Sequence, residues 1–367
     1  MKIGAITFHG AHNYGSVLQA YALKTFVEKL SEEQGVECDY SVINFRTVFQ
    51  KQLYSRPRLH SPKSAVKMLL YFPYRRKLEI QNEKFEAFIK DYLHLSEEFS
   101  ESSQLQEKVK DFDLLLAGSD QIWNIRAQDF SFAYLFEGCT QKKVSYAASL
   151  GPLDIDWSKY DKERYVKALS QFDSVSAREE KSKEKLQALI PDLPVEVSVD
   201  PTVLLSADEW RKLQSDMTVN NGKYILFYCL EPTKDHLRLA KLLSEKTGLP
   251  VVATKYRNKK DYFNPFIKQY DAGPRDFLSL IDHASIVLTS SFHGTAFSLI
   301  YKKPFYAIDG MNDARISNIL RLANAECNAI ALNAQTIENE AIVADASEWM
   351  KEQTGKSKQF LTAEVFK

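Results

Sequence analysis

Short apolar runs alternate with longer amphipathic segments along most of the chain. Residues 2–8 have the apolar character of a buried strand, and helical spacing follows from 17 to 30. Further apolar runs at 113–118, 224–230 and 286–288 are each followed by a helical pattern or a polar turn. Strands that alternate with helices predict parallel sheets built from βαβ units. The pattern therefore predicts an α/β protein.

The length of the chain predicts two domains, because 367 residues exceed what a single core usually holds. Residues 205–222 have a weak pattern that is typical of a linker with a short helix. We therefore predict a first Rossmann-like domain over 1–205 and a second over 222–340. A terminal helical segment, 341–367, is predicted to return to the first domain.

The segment 286–308 is the clearest βαβ unit of the chain. A buried strand leads into a polar elbow that contains His293, and a helix follows until Pro304. Ligands of open α/β sheets bind at the carboxyl ends of strands, and helix N-termini favour anions. His293 is thus a candidate for acid–base chemistry, with a structural histidine as the alternative.

Two further polar turns follow predicted strands. The loop at Asn13, Tyr14 and Gly15 matches neither the dinucleotide fingerprint nor the P-loop, so it is interpreted as a substrate cradle or as a tight turn. After the strand 113–118, Asp120 and Asn124 are candidates for binding sugar hydroxyls, with Trp123 as a stacking face. The alternative is a capping aspartate and a core tryptophan.

Arg178 follows the short predicted strand 173–177. Its planar guanidinium is suited to a carboxylate or a phosphate, because it can donate two parallel hydrogen bonds. The alternative is an arginine that pairs with Glu179 or Glu180.

The segment 46–80 is basic and rich in aromatic residues, and no acidic residue lies between Arg46 and Lys77. Such a stretch is typical of contact with anionic lipid headgroups or with a phosphorylated acceptor. The alternative is a solvated insertion. We predict an insertion of the first domain, with peripheral membrane contact as its candidate role.

Composition excludes few classes of protein but narrows the partners. The formal net charge is +0, which gives no argument for nucleic acid as a partner. The four cysteines are widely spaced, as in reduced cytoplasmic proteins, and no cluster of metal ligands is evident. The first residues enter a strand without a signal-peptide pattern. We therefore expect a cytoplasmic protein, at the inner face of the membrane if 46–80 binds lipid, with no metal or cofactor.

Five segments together resemble the polysaccharide pyruvyl transferase family. They lie in the order found in that family and span most of the chain: 12–16 (HNYGS), 116–123 (LAGSDQIW), 176–179 (SARE), 199–202 (VDPT) and 290–294 (SSFHG). The resemblance implies two Rossmann-like domains facing across a cleft, similar to the GT-B architecture. It also implies phosphoenolpyruvate as the donor and co-substrate, and a glycan or lipid-linked oligosaccharide as the acceptor. The product in exopolysaccharide biosynthesis would be a pyruvate ketal.

The resemblance also implies residue roles, with His293 as the general acid or base and Arg178 on the donor. The full predicted donor set is Arg178, Lys255, Arg257, Ser290, Ser291, Gly294 and Thr295. The predicted acceptor set is Asn13, Tyr14, Gly15, Asp120, Trp123 and Asn124.

One position departs from the family pattern. Ser291 stands two residues before His293, where related sequences carry arginine. Another cation would then have to serve the donor, and Lys255, Arg257 and Lys302 are candidates. Two other functions stay open, which are a nucleotide-sugar-dependent GT-B-like glycosyltransferase and a non-catalytic glycan-binding relative.

Overall fold

The computed structural model describes residues 1–54, 72–254 and 264–367. The chain forms two compact units. The first comprises Met1–Tyr54, Ile89–Leu205 and Met350–Lys367, and the second comprises Ser55–Phe88 and Ser206–Trp349.

Each unit is built on a parallel sheet, which confirms the predicted α/β class with two domains. The strands of the first unit are β1 (Lys2–Ile6), β2 (Asp39–Val42), β3 (Leu114–Ala117), β4 (Lys142–Ala148), β5 (Ser174–Ala177) and β6 (Val195–Val197). Their order is β2-β1-β3-β4-β5-β6. The chain leaves β1 in one direction and later continues from β3 in the other, so the sheet has its topological switch point between β1 and β3.

The second sheet has the same type of strand arrangement. Its strands are β7 (Ile225–Tyr228), β8 (Val251–Ala253), β9 (Ile267–Lys268), β10 (Ile286–Thr289), β11 (Phe305–Ile308) and β12 (Ala329–Ile330). They are ordered β12-β11-β10-β7-β8-β9. The switch point therefore lies between β7 and β10.

Helices lie between these strands along the chain. Within the described ranges they are α1 (Tyr14–Gln34), α2 (Val48–Tyr54), α3 (Arg75–Tyr92), α4 (Leu105–Val109), α5 (Lys162–Leu169), α6 (Glu180–Leu189), α7 (Ala207–Leu213), α8 (Lys234–Thr247), α9 (Pro274–His283), α10 (Phe292–Ile300), α11 (Ala314–Leu322) and α12 (Ser347–Val365). None of these helices combines the length and apolar character needed to cross a bilayer.

The apolar runs of the sequence form the two cores. All four residues of β3 and of β7 are buried, as expected for strands covered on both faces. In the first unit, Trp123, Tyr165 and Leu186 pack into the same cluster as β3 residues. In the second, Leu239 and Leu243 of α8 pack with Ile225 and Leu288 of the sheet.

The first part of α3 belongs to the second unit, whereas the prediction from sequence placed all of 1–205, with the insertion 46–80, in the first domain. Three side chains on one face of the helix explain this placement. Lys77 Nζ donates to Lys268 O at 2.6 Å, and Gln81 Nε2 donates to Ala272 O at 3.0 Å. Lys84 Nζ donates to Asp276 Oδ2 at 2.6 Å. Residues 55–71 of the predicted insertion lie outside the described residues.

The C-terminal segment groups with the first unit from Met350 onwards. The ring of Phe360 in α12 lies 6.4 Å from the ring of Tyr146 in β4. Lys358 forms an ion pair of 2.5 Å with Glu33 of α1. The terminal helix thus packs on α1 and on the sheet of the first unit.

The docking of α3 on α9 requires glycine at position 273. A Cβ on Gly273 would lie 2.5 Å from Lys84 Cβ. Lys84 Cβ is bonded to the backbone of α3, so a change of side-chain rotamer cannot relieve this contact. We expect Gly273→Ala to destabilise the second unit by about 1–3 kcal/mol, as overpacking does. Thermal unfolding followed by circular dichroism measures this.

Gly355→Ala in α12 is the matched control. No atom lies within 4 Å of a Cβ built there, so helix propensity should leave stability unchanged or raise it by about 0.5–1 kcal/mol. If both variants unfold at the same temperature as the wild type, the close approach of α3 and α9 is not a constraint.

Candidate functional site

The polar elbow after β10 is held by one threonine. Thr289 Oγ1 donates a hydrogen bond to Tyr228 O at 2.6 Å and accepts one from Ser291 N at 3.0 Å. These bonds tie the end of β10 to the end of β7 and fix the turn into α10. The elbow therefore lies at the switch point of the second sheet.

Two of the predicted donor residues shape this elbow. A Cβ on Gly294 would collide with Thr289 Oγ1, so glycine is needed for α10 to start this close to β10. Thr295 is fully buried, and its hydroxyl donates to Ser291 O at 3.2 Å. These two residues support the turn, and neither presents a free polar side-chain group to a ligand.

The other elbow residues present the chemistry. His293 is the second residue of α10, is 9% exposed, and its ring lies edge-on to that of Phe292 at 5.2 Å. Ser291 is the N-cap residue, but within the described structure its hydroxyl makes no capping hydrogen bond. Ser290 is half-buried. The start of α10 therefore combines an imidazole, two hydroxyls and the positive end of a helix dipole.

A thiol lies beside the elbow. Burial raises the pKa of Cys229 to about 12, although hydrogen bonds from Ser290 act in the opposite direction. The thiol therefore stays protonated near neutral pH and is not a nucleophile.

Of the cations suggested as substitutes for an arginine at position 291, the structure describes Lys302, which is not at the elbow. Lys302 lies at the other end of α10 and forms an ion pair of 3.3 Å with Asp345. Lys255 and Arg257 lie outside the described residues.

In the first unit, turns after four strands meet around Arg178. Its Nη1 donates to Asp200 Oδ2 at 3.0 Å, and its Nε lies 3.5 Å from Glu179 Oε2. Asp120 Oδ1 lies 3.9 Å from Nη1, and Ser16 Oγ donates to Asp120 Oδ2 at 2.7 Å. The structure thus brings together the predicted residues Arg178 and Asp120 with the first turn of α1.

This cluster is buried and carries more negative than positive groups. The side chain of Arg178 is 3% exposed. Burial acts to lower its pKa, but the charges of Glu179, Asp200 and Asp120 outweigh burial, so the pKa of Arg178 lies above its ordinary value. Ser149 and Ser182 each donate to Glu179 Oε1 at 2.6 Å. Arg178 is therefore the countercharge of three carboxylates.

That setting changes the interpretation of Arg178. A phosphate that approached it would also meet Asp120, Glu179 and Asp200, and would gain little from a charge that carboxylates already balance. The alternative prediction, in which Arg178 pairs with Glu179, agrees with the structure. The arginine is, however, buried. Its role in the structure is to hold the turns after β3, β5 and β6.

The predicted acceptor residues differ in what they present. Asp120 has a left-handed backbone, with φ of 77°, which is an uncommon conformation that an aspartate tolerates. Asn124 is half-buried, and its Nδ2 donates to Gln121 Oε1 at 3.1 Å. Asn13 Oδ1 caps α1 by accepting from Gly15 N at 3.0 Å. Asn124 and Asn13 are half-buried polar groups, whereas Asp120 is buried.

Two acceptor predictions fall on buried side chains. Trp123 is fully buried, its Nε1 donates to Tyr134 O at 3.0 Å, and its ring packs edge-on against Phe172. The core-tryptophan alternative therefore describes it, and no face is left for stacking on a sugar. Tyr14 is 2% exposed and packs in the interior at the start of α1.

Sequence reasoning missed two residues that organise these sites. Asp200 forms the shortest ion pair with Arg178, and Thr289 holds the elbow. A local signal existed for Asp200, which precedes a proline and caps the turn by accepting from Thr202 N at 3.0 Å. No signal in the chain links Asp200 to Arg178, because their pairing depends on strand order.

Metal chemistry has no evident site in the part of the chain that the structure describes. No group of three or more histidine, cysteine, aspartate or glutamate side chains is placed there to hold a metal ion.

Comparisons with known proteins agree on the fold and add a family. A family model described as polysaccharide pyruvyl transferase matches residues 13–310. A comparison with curated proteins found no match.

Similar solved structures include three nucleotide-sugar enzymes. UDP-GlcNAc 2-epimerase from Neisseria meningitidis, bound to UDP-GlcNAc, has a TM-score of 0.53 at 13% identity and covers 100% of both chains. A putative UDP-N-acetylglucosamine 2-epimerase from Listeria monocytogenes has a TM-score of 0.53 at 14% identity, covering 98% of this chain and 90% of its own. The enzyme from Methanocaldococcus jannaschii has a TM-score of 0.51 at 12% identity, covering 99% and 100%. These likenesses show a two-domain GT-B-like fold.

The Arg178 cluster predicts a large difference between two arginine substitutions. Arg178→Met removes the buried positive charge that pairs with three carboxylates, and we expect it to destabilise the first unit by about 3–5 kcal/mol. Arg164→Met removes an exposed ion pair with Glu137 and should cost about 1 kcal/mol or less. Urea unfolding of both variants checks this. Equal shifts of the two midpoints would contradict the structural role of Arg178.

The uncapped hydroxyl of Ser291 predicts an unusually mild N-cap substitution. Ser206 of α7 forms a full capping box with Glu209, so Ser206→Ala should cost about 1 kcal/mol. Ser291→Ala removes no capping bond and should cost less than about 0.5 kcal/mol. Thermal unfolding compares the two. A loss at Ser291 as large as that at Ser206 would show that its hydroxyl stabilises the helix after all.

Proposed function

The chain belongs to the polysaccharide pyruvyl transferase family, and from this premise we propose that it transfers a pyruvyl group from phosphoenolpyruvate to a sugar of a cell-surface polysaccharide precursor. The product is a pyruvate ketal that bridges two hydroxyls of the sugar. The observation that carries the proposal is the family match over 13–310, a range that includes His293 at the first turn of α10.

The proposed reaction needs one proton donor and one place for an anion. His293, as imidazolium, protonates C3 of phosphoenolpyruvate, which makes C2 electrophilic. One sugar hydroxyl bonds to C2, and its proton returns to the imidazole. A second hydroxyl then bonds to C2 as the C2–O bond to phosphate breaks, and its proton leaves with the phosphate. An imidazole suits these steps because it exchanges protons near neutral pH.

The start of α10 supports the donor half of the proposal. A helix N-terminus favours a phosphate or carboxylate through its dipole and its backbone N–H groups. The hydroxyl of Ser291 has no capping bond to give up, and Ser290 is half-buried beside it. We propose that these hydroxyls bind the donor while Gly294 and Thr295 keep the turn in place. Lys255 and Arg257 remain proposed contributors of positive charge.

The first unit supports the acceptor half. Asn124 and Asn13 are polar and half-buried. Asp120 is buried and is held by Ser16 next to the switch point between β1 and β3. Carboxylate and amide groups suit sugar hydroxyls. We propose that these residues orient the acceptor and that Arg178 positions Asp120. The proposed acceptor is a lipid-linked or free glycan on the cytoplasmic side of the membrane.

The serine at position 291 supports a second candidate function. The missing arginine removes a fixed positive charge that a phosphoenolpyruvate site would use. The Neisseria meningitidis epimerase, which shares the fold, was solved with UDP-GlcNAc. A nucleotide-sugar-dependent glycosyltransferase is therefore the alternative, and a non-catalytic glycan-binding relative is the third.

Calorimetric titration with phosphoenolpyruvate and with UDP tests the proposal on the wild type and on His293→Gln. We expect the wild type to bind phosphoenolpyruvate. His293→Gln should bind phosphoenolpyruvate with an affinity within about threefold of that of the wild type. Its rate of phosphate release, measured with a panel of methyl glycosides, should fall about 100-fold or more, which is the usual size of general acid–base catalysis.

His283→Gln is the control, since this exposed histidine lies at the C-terminus of α9 and hydrogen bonds to Ser279 O at 2.9 Å. It should match the wild type in both assays. Binding of UDP without phosphoenolpyruvate would replace the proposal with the glycosyltransferase. Equal phosphate release by wild type and His293→Gln would remove His293 from the chemistry.

A further inference from the structure

A second histidine lies at the same edge of the second sheet as His293. His236 is the third residue of α8, the helix that follows β7. Strands β7 and β10 are neighbours, and the Thr289 hydroxyl bonds their ends together. Connections leave this switch point in opposite directions, so α8 and α10 begin from opposite faces of the sheet. The N-termini of both helices are therefore directed to one crevice of the second unit.

Hydrogen bonds define the tautomer of His236. Thr233 N donates to its Nδ1 at 3.2 Å, and Thr233 Oγ1 lies 2.8 Å from the same atom. Since Nδ1 accepts, the ring proton of the neutral imidazole lies on Nε2. The residue is 9% exposed. Among the described residues, the ring forms its hydrogen bonds through Nδ1, which leaves Nε2 without a partner. The ring folds over the start of α8 with this N–H donor at its tip.

Capping alone does not account for a histidine at this position. In the usual capping box the third residue is glutamate or glutamine, which accepts from the N-cap N–H in the same way. A carboxylate would also suit the positive end of the helix dipole better than an imidazole does. Unlike glutamate, histidine adds a neutral N–H donor, and a donor at a helix N-terminus favours a bound anion.

Two carboxylates act on His236, and each has another partner. Burial lowers its pKa, while Asp309 and Asp235 act to raise it, so the ring is mainly neutral at pH 7. Asp235 lies 3.6 Å from Arg238 Nε. Asp309 Oδ1 accepts from Leu332 N at 2.8 Å, which keeps that carboxylate engaged with the loop after β12.

We propose that His236 is a positioning residue that, with the N-terminus of α8, binds a phosphate group of the donor through its Nε2–H. This inference rests on the proposed function only in requiring a phosphate-bearing donor. Phosphoenolpyruvate and a nucleoside diphosphate share that chemistry. A neutral N–H group suits this role because it donates a hydrogen bond to phosphate without giving up its proton. Proton transfer is then left to His293.

Two substitutions at position 236 separate ligand binding from capping. His236→Gln and His236→Glu can both complete the box with Thr233, so both should unfold within about 2 °C of the wild type. Glutamine keeps an N–H donor and glutamate does not. We expect calorimetric titrations with phosphoenolpyruvate, UDP and inorganic phosphate to show His236→Gln within about threefold of the wild type. His236→Glu should bind about tenfold or more weakly, the loss expected for a hydrogen bond to a charged group.

Lys234→Gln controls for charge, because it changes the net charge of the same exposed turn by one unit and should bind within about threefold of the wild type. If His236→Gln and His236→Glu both bind as the wild type does, His236 only caps α8 and the proposed function stands. Lowered thermal stability and weak binding in both variants would show a purely structural role. If the wild type binds none of the three ligands, both proposals are overturned.

Discussion

The chemistry of both units depends on one constraint, which is that a parallel sheet places the carboxyl ends of all its strands along the same edge. Polar turns that are far apart in the chain are brought together there, next to helix N-termini that carry positive partial charge. The two switch points, between β1 and β3 and between β7 and β10, mark where this edge opens into a crevice. Among the described residues, the half-buried candidates Ser290, Asn124 and Asn13 lie in turns at these edges.

The two units place different charged and polar side chains at that edge. In the first, Arg178 balances Asp120, Glu179 and Asp200, so a buried ionic cluster fixes the positions of three turns. In the second, hydroxyls and histidines line the start of α8 and α10, and the Thr289 hydroxyl holds the elbow. A neutral edge with two helix N-termini suits an anionic donor, whereas a carboxylate held by serine and arginine suits the hydroxyls of a sugar. These charges support the proposed assignment of the donor to the second unit and of the acceptor to the first.

The parts of the candidate site that depend on local sequence were predictable. The turn containing His293 follows a buried strand and starts a helix, and both features are visible in the order of residues. The roles of Trp123 and Arg178 were not predictable, because a tryptophan or an arginine after a strand is equally compatible with a ligand and with the interior. Burial against Phe172 decided the first case, and three carboxylates decided the second. The placement of α3 depended on hydrogen bonds to Lys268 and Ala272, which are nearly two hundred residues away.

The sequence by itself determined the α/β class, the two-domain fold and the positions of the polar turns, since these depend on periodicity and on residues that stop helices. Tertiary structure alone decided which turns meet and which side chains are left for a ligand. Strand order places Asp200 beside Arg178, and the bond from Thr289 to Tyr228 joins β10 to β7. The physical reason is that charge balance and burial are properties of neighbours in space, and a parallel sheet chooses those neighbours from distant parts of the chain.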